Sequence, residues 1–149
     1  MTILAPNGPD TSTHEPLTSY GLPGADIQAL LHAPPIDVHV LLEQSLGKPS
    51  FAVSLITAFA SSGQQRLNQM EHQLAQANFD ELAGSAHALK GVTGVIAAIK
   101  LEEISSSLEA ASRDADVAHV RALLAEVCQE MQRVLDYIPI LCVVAEQQV

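Results

Sequence analysis

Residues 86–94, Ala86-His87-Ala88-Leu89-Lys90-Gly91-Val92-Thr93-Gly94, decide how this chain is read. At about 100° per residue, positions three, four and seven apart share one side of an α-helix, so His87, Lys90, Gly91 and Gly94 point the same way. Ala83 and Gly84 flank that spot from the turn before. Phe79, Leu82, Ala86, Leu89, Thr93 and Ile96 step by three and four, forming a mostly apolar stripe centred about 130° from His87. The spacing predicts a helix whose histidine lies off the core. An imidazole among small residues is sterically open, and a cation one turn away can neutralise an anion seated on it. Gly is about 1 kcal/mol worse than Ala inside a helix, so Gly84, Gly91 and Gly94 need a compensating reason. Close approach by another protein is such a reason, and a phosphate is the anion the pattern suits.

Outward from this helix the chain reads as further helices. Asn78 is the expected N-cap before Phe79. Upstream, Pro49 fits a first helical turn, and Ala52, Ile56, Phe59, Gly63, Leu67, Met70 and Leu74 carry one buried face to about Ala75. Before it, Asp37 caps a short helix over 38–46, with Ile36 able to staple onto Leu41. Downstream, Leu101, Ile104, Leu108 and Ala111 mark a helix over 98–112, and residues 113–116 make a turn. Val117, Val120, Leu124, Val127, Met131, Val134 and Ile138 mark a last long helix, which Pro139 is expected to close. Four long helices on short polar links predict an all-α fold, an antiparallel up-down-up-down four-helix bundle with a short additional N-terminal helix covering one end.

Residues 1–35 hold six of the eight prolines and read as a flexible leader, with a short helix allowed at 25–32 before Pro34-Pro35. The bundle is expected over 36–138, and 139–149 as an apolar tail that either packs back on the body or meets another chain. Seven basic against seventeen acidic residues, a net charge of −10, disfavour nucleic acid and anionic membranes as partners. Cys128 and Cys142 show no metal-ligand spacing, and no segment has signal-peptide or membrane-span character, so a reduced, cytoplasmic setting is expected. His14, His32, His39, His72 and His119 lack small neighbours with a following cation and read as incidental. Asp114 and Asp116 beside His119 read as helix caps rather than metal ligands, and Met70 and Met131 as core.

The run Ala-His-x-Leu-Lys-Gly-x-x-Gly, followed by Ala98, resembles the signature of histidine phosphotransfer (HPt) domains of multistep phosphorelays, over roughly residues 36–138. The resemblance implies that His87 is a phosphoacceptor, that Lys90 neutralises the phosphate, and that Gly91 and Gly94 admit the partner. It also implies a response-regulator receiver domain and a hybrid sensor histidine kinase as partners, no cofactor of the chain's own, and Mg²⁺ belonging to the receiver. The chain departs from the family pattern at Val92, Thr93, Val95 and Ala97. Glu102, Glu103 and Glu109 on the following helix are given no role. A neutral imidazole is a competent nucleophile at physiological pH, and phosphoryl transfer asks mainly for in-line placement and positive charge. No Gly-rich P-loop pattern occurs, so the chain reads as a phosphocarrier without an ATP site rather than an enzyme. The alternative is a helical adaptor that binds a signalling partner through the same face without chemistry.

Overall fold

The computed structural model describes residues 24–147, all-helical with no strand among them. Six helices occur among the described residues: α1 (Gly24–His32), α2 (Val38–Gln44), α3 (Pro49–Ala75), α4 (Phe79–Val95), α5 (Ile99–Arg113) and α6 (Val117–Gln147). The chain divides into two compact units, Met1–Pro34 and Pro35–Val149. The first carries α1 at the place where a short helix was expected. Residues 1–23 of the expected leader lie outside the described residues.

In the second unit α3, α4, α5 and α6 each pack on the next, and α6 closes the ring on α3, so the four long helices form a bundle. Short links make sequential neighbours antiparallel. Caps chosen by the sequence set the starts. Asp37 accepts from the Val40 amide at 3.1 Å, Asn78 from that of Glu81 at 3.2 Å, and Asp116 from that of His119 at 3.3 Å. Each link then turns through a left-handed residue, Leu46 (φ 57°), Ala77 (53°), Ala97 (63°) and Ala115 (54°), where glycine is the usual occupant. The helix α2 is tied to the end of the bundle where α4 passes into α5. Its capping Asp37 donates its amide to the Ala97 carbonyl at 2.9 Å, and Gln44 reaches the Gly94 carbonyl at 3.4 Å.

The core follows the three-four spacing closely. Ala52, Ile56, Phe59, Gly63, Leu67 and Met70 of α3 are buried, as are Leu101, Ile104, Leu108 and Ala111 of α5 and Val120 through Ile138 of the expected α6 set. Gly63 lets α3 approach α6: an added Cβ would sit 3.0 Å from Leu135 Cδ2. Two stripe ends differ. Gln73 is buried in place of Leu74, and Val117 is 42% exposed because it sits in the first turn of α6, beyond the packed layer.

The break expected at Pro139 is absent. The helix α6 runs through it to Gln147. Proline removes one backbone hydrogen bond, here to the Leu135 carbonyl, and crowds the preceding turn, costing about 3 kcal/mol. Burying two or three aliphatic side chains, at about 1.5–3 kcal/mol each, outweighs this. Tyr137, Ile138 and Ile140 are buried around the proline, while Leu141, Val144 and Ala145 line an apolar cleft with Val38, Leu41 and Ile56. The expected 139–149 tail is therefore largely the last turns of a helix packed on the body, and residues 148–149 are outside the described residues.

Candidate functional site

The apolar stripe of α4 faces the bundle, with Leu82, Ala86, Leu89 and Thr93 fully buried, which leaves the opposite side of the helix outward. His87 stands there with its side chain 68% exposed. The ring is nonetheless held. Its Nδ1 lies 3.1 Å from Oε2 and 3.2 Å from Oε1 of Glu109 on α5. The Glu109 side chain is only 15% exposed, and Arg113, one turn further along α5, donates Nη2 to its Oε2 at 2.7 Å.

These contacts set the protonation pattern. The Arg113 hydrogen bond above all holds the Glu109 carboxyl below its ordinary value of 4.5, against the opposing effect of burial, with the His87 ring adding in the same direction as Arg113. An ionised carboxylate can only accept, so in the neutral ring Nδ1 must carry the proton. The lone pair is then left on Nε2, the nitrogen that Glu109 does not engage. A nucleophile with its second nitrogen anchored by a carboxylate is a fixed and competent one.

The surroundings are open on one side. A Cβ at Gly84 or Gly91 would meet nothing within 4 Å among the described residues, so neither glycine is needed for packing against them. Lys90, one turn beyond His87, is half-buried and forms no ion pair among the described residues. Beyond the glycines, toward α3, lie two clefts. One of about 410 Å³ is lined by Arg66, Gln73, Glu81, Gly84, Ser85 and Ala88, and a more apolar one of about 230 Å³ by Leu55, Ala58, Phe59, Val92 and Val95.

Two of the expected face residues are not on that face. Ala83 is 1% exposed. It lies four residues before His87 but also three before Ala86, at the edge of the buried stripe, and the packing of the neighbouring helices covers it. Gly94 is half-buried under the Glu102 carboxylate, whose Oε2 would be 3.0 Å from an added Cβ, so its smallness serves α5 rather than a visiting protein. The face retains His87, Gly84 and Gly91, with Lys90 at its edge.

Glu109 and Arg113 are the residues to which sequence reasoning gave no part. A signal for them exists. In an antiparallel helix pair, residues equidistant from the turn meet, and His87 and Glu109 are equidistant from Ala98, as are Gly94 and Glu102. The acid and base of Glu109 and Arg113, four apart in that order, are also a favourable helix pair.

Comparison with known proteins adds to this geometry. Residues 54–137 match the model of the Hpt domain family. No curated protein matches the chain. Among solved structures, a rice protein assigned as a histidine-containing phosphotransfer protein superposes with a TM-score of 0.67 at 18% identity, covering 92% of this chain and 96% of its own. A histidine-containing phosphotransfer protein from maize gives a TM-score of 0.67 at 20% identity, covering 91% and 97%. At such identity the likeness speaks for the fold.

Proposed function

The chain belongs to the Hpt domain family, whose members are phosphocarriers that exchange phosphoryl groups with receiver domains and kinases in phosphorelays, and we propose that His87 is its phosphoacceptor. The observation that carries this is the geometry at one ring: Nδ1 is held by Glu109 in a side chain that is 68% exposed, and Nε2 has no hydrogen-bond partner among the described residues. A partner receiver brings an aspartyl phosphate to the open glycine face. Nε2 donates its lone pair to phosphorus while the P–O bond to the aspartate breaks, and that carboxylate leaves with the bonding electrons. Nδ1 keeps its proton, and the positive charge that forms on the ring is stabilised by the Glu109 carboxylate. Onward transfer to a second receiver is the reverse of this step.

Lys90 neutralises the equatorial oxygens, and its lack of an ion pair among the described residues leaves its charge available for that. Gly84 and Gly91 are the close-approach positions. Mg²⁺ belongs to the receiver, and the carboxylate nearest His87 serves instead to engage His87 and Arg113. The chain acts without an ATP site of its own, a reading supported by the absence of a Gly-rich P-loop pattern from the sequence. Two free cysteines fit a reduced, cytoplasmic setting. Among the described residues no helix is long and apolar enough to cross a membrane.

Incubation with phosphorylated receiver domains tests the reading. The chain should acquire an acid-labile, alkali-stable label that His87→Gln abolishes, and equal labelling of that variant would end the proposal.

A further inference from the structure

The carboxylate that holds His87 is itself held. Glu109 Oε2 lies 3.1 Å from His87 Nδ1 and accepts from Arg113 Nη2 at 2.7 Å, the shorter of the two contacts. We propose that Arg113 is a positioning residue for His87, acting through Glu109: it fixes the carboxylate against Nδ1 and offsets its negative charge. The inference rests on His87 being the phosphoacceptor.

A lone carboxylate beside the ring would put negative charge close to an incoming phosphoryl group that is itself an anion. A guanidinium on the far side of the carboxylate counters this and leaves the hydrogen bond to Nδ1 in place. Geometry adds a further reason. A carboxylate on one donor is free to rotate, whereas a second donor from the next turn of the same helix fixes its plane.

The neighbourhood offers little other compensation. Among the described residues, Glu109 and Arg113 of α5 are the charged groups joined to His87, with Lys90 one turn along its own helix; Glu102 of α5 lies over Gly94, and Arg66 of α3 and Glu81 line the cleft beside Ala88. Of these only Arg113 touches Glu109 besides the ring. The rest of the chain, at a net charge of −10, works in the other direction. Arg113 is 62% exposed, so as a surface pair with Glu109 it contributes little to folding, and its variants should fold.

The full chain is labelled with phosphoramidate, a small donor that needs no docking face: the N–P bond of the donor breaks, ammonia leaves, and the bond to Nε2 forms. Rates are followed against pH for the wild type, Arg113→Gln, Arg113→Lys, Glu109→Gln and the Glu109→Gln/Arg113→Gln pair. Arg113→Gln should slow labelling several-fold at neutral pH, because a carboxylate freed to rotate no longer holds Nδ1 in one position. Arg113→Lys should stay within about twofold, since a single contact through one nitrogen is one that lysine can reproduce. With Glu109→Gln in place, Arg113→Gln should have no further effect.

Nitrogen NMR of the imidazole supplies a readout that needs no phosphate. The wild type should show the Nδ1–H tautomer, and Arg113→Gln a mixture of tautomers. An unchanged rate profile and tautomer in Arg113→Gln, a lysine variant as slow as the glutamine one, or an equal loss with and without the Glu109 carboxylate would overturn the role. A wild type that takes label from neither phosphoramidate nor receivers counts against His87 as phosphoacceptor instead, and the tautomer then decides the role of Arg113 alone.

Discussion

Gly84 and Gly91 give a prediction in which stability and activity move in opposite directions. Both lie inside α4, where glycine is about 1 kcal/mol less favourable than alanine. A Cβ at either position would enter open space, so neither substitution strains the fold. Gly84→Ala and Gly91→Ala should therefore each stabilise the chain by about 1 kcal/mol, and the pair, two turns apart on one helix, by about 2 kcal/mol. For a chain of this size that corresponds to a rise in Tm of roughly 4–8 °C. On a docking face the same methyl groups intrude on the partner. Overpacking a close interface costs about 1–3 kcal/mol, so transfer from a phosphorylated receiver at low concentration should fall about fivefold or more, and further for Gly91→Leu. Thermal melts and receiver-to-chain transfer rates are read side by side, with phosphoramidate labelling as the docking-free control, which should be unchanged. A fall in Tm for Gly91→Ala would show a packing reason for the glycine that the structure lacks. Full transfer by Gly91→Leu would remove this face from the docking surface.

Other consequences are equally direct. Pro139→Ala should raise stability by about 1–3 kcal/mol, because it restores an amide to the Leu135 carbonyl in the middle of α6, and a lowered Tm would contradict a continuous helix there. Ala77→Gly and Ala115→Gly should each stabilise by about 0.5 kcal/mol, relief of a left-handed alanine being partly offset by the entropy of glycine, and denaturant melts that move the other way would refute this. Glu109 contributes to acid stability with a definite sign. Its carboxyl is held below 4.5, so its contribution is complete above that value and is lost as the pH falls through the lowered one. Glu109→Gln should shallow the acid limb of the stability profile, and an unchanged limb would contradict the pairing.

Much of the fold was legible because its signals are local. Pro49, Asn78 and Asp116 mark helix starts, and the polar links after Ala75 and Arg113 mark ends, so the helices fall where the spacing puts them. The failures have physical reasons. At Pro139 the local rule is overridden by burial of Tyr137, Ile138 and Ile140, which no helix propensity contains. The spacing of Ala83, four residues before His87 and three before Ala86, fits either face, and only the packing of the neighbouring helices buries it. Gly94 was read as open because the sequence does not reveal that Glu102 of the next helix crosses over it. His87, Lys90 and the glycines could be read from one helix, whereas Glu109 and Arg113 enter the site only through the register of two helices.

The central claim is tested most directly by locating the phosphate. The chain is labelled from a phosphorylated receiver, and the modified atom is identified by peptide mapping under alkaline conditions and by nitrogen and phosphorus NMR. The account predicts a single phosphoryl group on Nε2 of His87, with Nδ1 still engaged by Glu109. Phosphate on Nδ1 of that ring, or on His72 or His119, would contradict it.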